Sequence, residues 1–253
     1  MTETTSAVRP APPPPPGRDW ALFLDIDGTL LDIADRPDRV AVPAGLRDHL
    51  AGAAGRLDGA LALVSGRPLS DIDRLFDPLR LPASGQHGGE WRPAAGAAPA
   101  LTAGTEIPAG LRALAEALAG RHRGMIVEQK SHALALHYRH DPALGPALGA
   151  ELAAALEGCA GLMLMPGRLV WEIKDASQSK GTAVGRFMAL PGFAGRRPVF
   201  IGDDRTDEDG FRAALELGGF ALPVGRLARS GEPGFADAAA VRDWLAGFAG
   251  SAA

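Results

Sequence analysis

Three short apolar runs, each ending abruptly in small, polar or acidic residues, constrain this chain more than any other feature. Trp20–Leu24 runs into Asp25-Ile26-Asp27-Gly28-Thr29, Ala60–Val64 into Ser65-Gly66-Arg67, and Pro198–Ile201 into Gly202-Asp203-Asp204. Runs this short and apolar throughout read as strands buried on both faces, hence a parallel sheet with helices on either side. Ala/Leu-rich segments near 43–54, 68–76, 179–189 and 207–216 supply the helices, so strand and helix alternate in a Rossmann-like α/β order. In such sheets ligands bind at the carboxyl ends of the strands, and all three polar clusters fall there.

The middle of the chain has a different grain. Segments 111–118 and 146–156 are helical in period, whereas 125–130, 133–139, 162–165 and 169–174 read as strands. Met165-Pro166-Gly167-Arg168 is the expected hairpin turn, making the last two strands antiparallel. The expected domain plan is a disordered Pro-rich leader over 1–17, a core made of 18–91 and 177–253, and an inserted α+β unit on a small antiparallel sheet over 92–176. Strand alternation places Glu128 with Lys130, and Glu172 with Lys174, on the sheet face opposite the helices, where they could meet a polar ligand.

Composition excludes several classes. The 253 residues carry a formal net charge of −4, and with no basic block this argues against a nucleic-acid or anionic-membrane partner. Cys159 is the only cysteine, so no internal disulfide points to an oxidising compartment. No stretch approaches the ~18 apolar residues of a membrane helix. Pro12–Pro16 stand where a signal peptide needs an apolar helical segment, so the expected location is the cytoplasm.

Two carboxylates one residue apart at a strand end, Asp25 and Asp27, can share a hard divalent cation. A calcium loop is excluded, because Gly28 falls at loop position four and Arg36 stands where the bidentate Glu is required. The second cluster, Asp203-Asp204-Arg205-Thr206-Asp207-Glu208-Asp209, could by itself be a solvated helix start. Two such clusters at strand ends of one sheet repel strongly without a cation, so together they imply Mg²⁺. A metal beside a carboxylate nucleophile suits phosphoryl transfer, in which an aspartate can form an aspartyl-phosphate. Ser65 can donate to a phosphate oxygen and Lys180, at another helix start, can neutralise one.

In this chain order the four elements resemble the haloacid dehalogenase-like phosphohydrolases. The resemblance implies that Asp25 is the nucleophile and Asp27 the general acid/base, whose backbone carbonyl also ligates Mg²⁺. It further implies that Asp203 completes the metal ligands, with Asp207 and Asp204 supporting them, and that Ser65 and Lys180 hold phosphoryl oxygens.

Further matches narrow the family. Gly85-Gln86-His87-Gly88, Glu128-Gln129-Lys130 with His137-Tyr138-Arg139 downstream, Glu172, and Gly202-Asp203-Asp204-Arg205-Thr206-Asp207-Glu208 resemble the trehalose-6-phosphate phosphatases. That implies a substrate site of Gln86, His87, Gly88, Glu128, Lys130, Arg139 and Glu172, the inserted unit acting as a specificity cap. A disaccharide displays many hydroxyls, which carboxylates accept from and Lys or Arg donate to. The expected substrate is therefore a small phosphorylated disaccharide and the expected state a monomer. A related sugar phosphatase, acting on sucrose 6-phosphate, mannosylglycerate phosphate or a hexose phosphate, would use the same four elements. A non-catalytic sensor would have no use for both Asp25 and Asp27. Tyr138 and Trp171 are expected in the core of the insert, and His137 in packing or hydrogen bonding within its sheet.

Overall fold

The computed structural model describes residues 10–33, 40–129, 133–167 and 169–250. By its contacts the chain divides into two units, one running to Ala100 and resuming at Ser179, the other spanning Leu101–Gln178.

The first unit is built on strands β1 (Trp20–Leu24), β2 (Leu61–Val64), β3 (Ala83–Gly85), β4 (Glu90–Arg92), β10 (Arg197–Gly202) and β11 (Phe220–Pro223). The sheet runs β11-β10-β1-β2-β3-β4, followed by the two-residue β5 (Ala100–Leu101). It is parallel from β11 through β3, and β4 turns back antiparallel to β3. Every residue of β1 and of β2 is buried, as the apolar runs require. Trp20 stacks on Trp244 of helix α7 (Ala238–Gly250), whereas Phe23 meets Phe187 of α5 (Lys180–Met188). Residues 20 and 23 point to opposite faces of a strand, so helices cover both sides. Helix α1 (Leu46–Arg56) packs with α7, and α5 with α6 (Glu208–Glu216). Strand β1 lies between β10 and β2, where the winding reverses, and the carboxyl ends of all three share one edge. That is the ligand-binding edge of a doubly wound sheet.

Residues 10–17, expected within a disordered leader, are held against this unit. The Ala11 amide donates to the Glu232 carbonyl at 2.8 Å, and Gly234 donates back to Ala11 at 3.2 Å. Pro12, Pro15 and Arg18 are exposed while the residues between are half-buried, the three-residue repeat of a polyproline helix lying on a surface. Residues 1–9 lie outside the described residues.

The second unit has helices α3 (Ala109–Arg121) and α4 (Gly145–Ala155), and the antiparallel sheet β6-β7-β9-β8, formed by Ile126–Gln129, Ala133–His137, Val170–Asp175 and Leu162–Gly167. Leu134, Leu136 and Ile173 pack with Leu111, Ala115 and Leu118 of α3 and Leu148 and Leu152 of α4. Tyr138 and Trp171 join this core, and the Trp171 indole donates to the Gly145 carbonyl at 2.8 Å. The hairpin turn sits later than expected. Met165 and Pro166 are still in strand, opposite Glu172 and Trp171, and Gly167 pairs with Val170. Leu169 takes a left-handed φ of 58° to close the turn, and Arg168 lies outside the described residues. Among the described residues no helix is long and apolar enough to cross a membrane.

Candidate active site

The carboxyl end of β1 places Asp25 where the chain leaves the sheet, and its amide is fixed by the Ile201 carbonyl of β10 at 3.0 Å. Asp25, Asp203 and Asp207 are all buried, and one carboxylate oxygen from each lies within 4.8 Å of the others. Glycines make room for this convergence. A Cβ on Gly28, where φ is 89°, would stand 2.2 Å from an Asp203 carboxylate oxygen, and one on Gly202 would stand 2.3 Å from the Asp207 carboxyl carbon. Side chain and backbone therefore interlock, and larger residues at either position would push the carboxylates apart.

Lys180 is the first residue of α5, set by the Ser179 cap and its reciprocal partner Thr182. Its buried ammonium donates to Asp25 Oδ1 and to Asp207 Oδ1, each at 2.6 Å. Asp207 Oδ2 accepts from the amides of Asp203 and Asp204 at 3.0 and 2.9 Å, and the Thr29 hydroxyl donates to Asp203 Oδ1 at 3.3 Å. Burial and the charge of Asp207 hold the Asp25 carboxyl well above the usual range, against the pull of Lys180. The same two causes push Asp203 up to about 6. For Lys180 burial acts downward, but Asp25 and Asp207 outweigh it and hold the ammonium above its ordinary value. One ammonium against three buried carboxylates leaves an excess of negative charge. An all-oxygen site of that character fits a hard divalent cation.

At the end of β2, Ser65 is buried and its Oγ accepts from the Arg67 amide at 3.2 Å. That bond leaves the hydroxyl proton for an acceptor in front of the strand end. Arg67 was not singled out from the sequence. Its Nε and Nη2 donate to Asp27 Oδ2 and Oδ1, both at 2.6 Å. Asp27 thus stands outside the buried acidic triad, its carboxylate turned to the guanidinium. Asp204 also stands apart: it caps the turn Arg205–Asp207 and accepts from the Arg205 amide and the Arg226 guanidinium.

Gln86 and His87 both adopt left-handed backbone, with φ of 48° and 54°. Two successive non-glycine residues in that region mark a segment whose surroundings over-determine it. The Gln86 and His87 amides donate to the Arg67 and Ser65 carbonyls at 3.0 and 3.1 Å, and a Cβ on Gly66 would meet the His87 imidazole at 2.5 Å. Glu90, a second residue not singled out, accepts from the Gln86 amide side chain and from Leu69 N at the start of helix α2 (Leu69–Phe76). Gly88 accepts from Arg186 through its carbonyl at 3.2 Å.

In the antiparallel unit Glu128, Ala135 and Glu172 are aligned across three adjacent strands on the face away from α3 and α4. Glu128 Oε2 lies 3.1 Å from His137 Nε2, and Arg139 is exposed just beyond β7. Glu172 and Lys174 are buried, and the Lys174 ammonium donates to the Gln178 carbonyl at 2.6 Å. Lys130 lies outside the described residues.

Residues 23–232 match the family described as trehalose-phosphatase. The chain belongs to that family. It is 44% identical over 214 residues to a probable trehalose-phosphate phosphatase of Sinorhizobium fredii, covering 82% of this chain and 78% of that protein. It is 37% identical over 226 residues to the trehalose-6-phosphate phosphatase of Escherichia coli, covering 89% and 85%. Among solved structures, the C-terminal domain of a Candida albicans trehalose-6-phosphate phosphatase superposes with a TM-score of 0.75 at 20% identity, over 92% of each chain. A phosphatase of the haloalkanoate superfamily from Bacteroides thetaiotaomicron does so with a TM-score of 0.61 at 15% identity, covering 98% of this chain and 97% of that one. These two share the fold. The trehalose-phosphatase assignment makes this chain an enzyme acting on a phosphate ester, consistent with a buried acidic triad, a lysine and a serine at adjoining strand ends.

Proposed function

We propose that this trehalose-phosphatase family member hydrolyses trehalose 6-phosphate to trehalose and phosphate, with Mg²⁺ as its metal. The observation that carries the reading is the convergence of Asp25, Asp203, Asp207 and Lys180 at the switch point of the parallel sheet. Asp25 attacks phosphorus, forming an aspartyl-phosphate as the ester P–O bond breaks, and Asp27 gives the departing sugar oxygen its proton. Asp27 then takes a proton from water as the water oxygen attacks the aspartyl-phosphate, releasing phosphate and restoring Asp25. Ser65 and Lys180 hold phosphoryl oxygens through both steps. Asp25, Asp203, Asp207 and the Asp27 carbonyl are the groups that would hold the metal, with Asp204 in support. When bound, Mg²⁺ supplies neutralisation of charge on the transferring phosphoryl group.

Sugar recognition is assigned to the cap, 92–176, and the chemistry to the core. Glu128 and Glu172 lie two strands apart, about 10 Å by strand spacing, with only the Ala135 methyl between them. This acidic-walled trough suits a ring bearing hydroxyls on both edges, with Arg139 and Lys130 as donors to its oxygens. Gln86, His87 and Gly88, which belong to the parallel-sheet unit, are the other residues proposed for substrate binding. We infer a cytosolic location from the single cysteine.

Phosphate release with Mg²⁺ tests the reading, comparing trehalose 6-phosphate with glucose 6-phosphate, sucrose 6-phosphate and mannosylglycerate phosphate. A kcat/KM preference for trehalose 6-phosphate of about 100-fold or more, abolished by EDTA, is the expected result. Preference for another ester overturns the sugar assignment and keeps the chemistry. No release from any of them points to a sensor.

A further inference from the structure

Arg67 is buried, yet it makes contact with two functional groups at once. Its backbone amide donates to Ser65 Oγ at 3.2 Å, and its guanidinium closes a two-bond fork on Asp27 with both distances 2.6 Å. Its carbonyl accepts from the Gln86 amide at 3.0 Å, and Asp71, in the first turn of α2, approaches its Nη1 at 4.0 Å. The residue is thus fixed from its own backbone and from α2, while Asp27 sits on a loop following β1 and is only half-buried. The better-anchored partner sets the geometry: the guanidinium determines where the Asp27 oxygens point. A fork of this kind is planar and directional, which an ammonium cannot reproduce.

We propose that Arg67 is a positioning residue for proton transfer, holding the Asp27 carboxyl where it meets the sugar oxygen of the substrate. This rests on the reading of Asp27 as the group that protonates the leaving alkoxide. During that step Asp25 forms the new bond to phosphorus, the P–O(sugar) bond breaks, and the proton passes from one Asp27 oxygen to the sugar oxygen. Both Asp27 oxygens accept from Arg67, each through one lone pair, and the transferred proton rides on the remaining lone pair of one of them, so the group stays aimed while it exchanges its proton. An alternative role for Arg67, direct neutralisation of the phosphoryl group, would affect every phosphate ester alike. In kcat/KM, which ends with formation of the aspartyl-phosphate and so excludes the later water step common to all esters, positioning of a proton donor affects only esters whose leaving group needs a proton.

The experiment compares kcat/KM for trehalose 6-phosphate and p-nitrophenyl phosphate in the wild-type protein and in Arg67→Met, Arg67→Lys and Asp27→Asn. Both substrates transfer the same group to Asp25, and nitrophenolate leaves without a proton. With Mg²⁺, Arg67→Met is expected to lose on the order of 100-fold on the sugar ester and less than about threefold on the nitrophenyl ester. Arg67→Lys, which keeps the charge and guards against failure to fold, is expected to show the same selectivity at about tenfold. Equal losses on both esters in the folded Lys variant, or no loss on either, overturn the proposal. Asp27→Asn separates it from the reading beneath it. If Asp27→Asn is selective for the sugar ester and the Arg67 variants are not, the positioning role alone falls. If Asp27→Asn hits both esters equally, the proton-donor reading falls and the Arg67 proposal with it.

Discussion

The molecule carries two sets of candidate site carboxylates, one wholly buried and cross-bonded, the other spread across a sheet face and in part exposed. In the parallel-sheet unit Asp25, Asp203 and Asp207 are no more than 7% exposed. They are locked by Lys180, by backbone amides, and by glycines whose missing side chains the carboxylates occupy. In the antiparallel unit Glu128 and Glu172 share one sheet face, spaced by Ala135; Glu172 is buried, but the Glu128 side chain is 45% exposed. Groups that stabilise charge developing at phosphorus act best when fixed in advance, because no reorganisation then opposes the reaction. Groups that recognise a sugar need only be complementary, so sheet register suffices to place them. Changes in the first set should therefore act on every substrate and on stability, and changes in the second on one substrate only.

The hardest test of this contrast is Asp25→Asn. If Asp25 is the nucleophile proposed above, turnover of both trehalose 6-phosphate and p-nitrophenyl phosphate is expected to fall more than about 1,000-fold. Thermal melting without metal should be no lower than wild type, because one of the mutually repelling buried charges is removed. A residual rate within tenfold of wild type would remove Asp25 from its role.

The repulsion itself is measurable as a pH dependence. Asp203 is held at about 6 in the folded chain by burial and Asp207, against an ordinary value of 3.8. The folded state therefore binds more protons than the unfolded state between those values, and stability falls as pH rises across that window. The loss amounts to at most about 3 kcal/mol, fully present above pH 6. Denaturant unfolding of the metal-free protein at pH 4 and 6.5, beside Asp203→Asn, checks it. The variant should lose the part of the slope that Asp203 contributes and keep the part due to Asp25, whose carboxyl is also held above its usual range, and Mg²⁺ should flatten the slope in the wild type. A wild type that gains stability over the same range would show that the triad is not under charge stress.

What the sequence disclosed follows the same division. Strands β1, β2 and β10 were legible because burial on both faces leaves nothing but apolar residues between their polar ends. Strand β11 and helix α7 carry weaker patterns, and the half-buried Phe220–Pro223 is too short to alternate visibly. Pro166-Gly167 looked like the turn because that dipeptide is a strong turn signal, yet cross-strand pairing held both in β8 and Leu169 took the strained position instead. Asp25, Lys180, Asp203 and Asp207 could be read as a group because each sits at an element's end, where topology gathers them. Arg67 and Glu90 could not: their partners Asp27 and Gln86 lie across a turn or 40 residues away, and no local spacing distinguishes them from surface charges. An arginine within a strand-end cluster whose serine was already a candidate phosphate donor was the signal available for Arg67.

Glu128→Ala should affect one substrate alone. On the proposed role, in which its carboxylate accepts from sugar hydroxyls, the change is expected to lower kcat/KM for trehalose 6-phosphate about 30-fold, roughly 2 kcal/mol. For p-nitrophenyl phosphate, which has no hydroxyls to recognise, the value should stay near wild type. Equal losses on both would make Glu128 part of the sheet's structure.

The smallest effect belongs to His137, and it asks whether recognition residues are held at all. Its Nε2 lies 3.1 Å from Glu128 Oε2, with side-chain exposures of 27% and 45%. A pair this open to water contributes little, about 0.5 kcal/mol. His137→Ala is therefore expected to raise KM for trehalose 6-phosphate about two- to threefold at unchanged kcat. The nitrophenyl ester should not respond, since the contact of the imidazole is with Glu128, whose proposed partner is the sugar. A tenfold or larger rise in KM would mean that Glu128 depends on its neighbour as Asp207 depends on Lys180. Recognition would then be as tightly preset as the chemistry, and exposure would be a poor guide to which of the two a carboxylate serves.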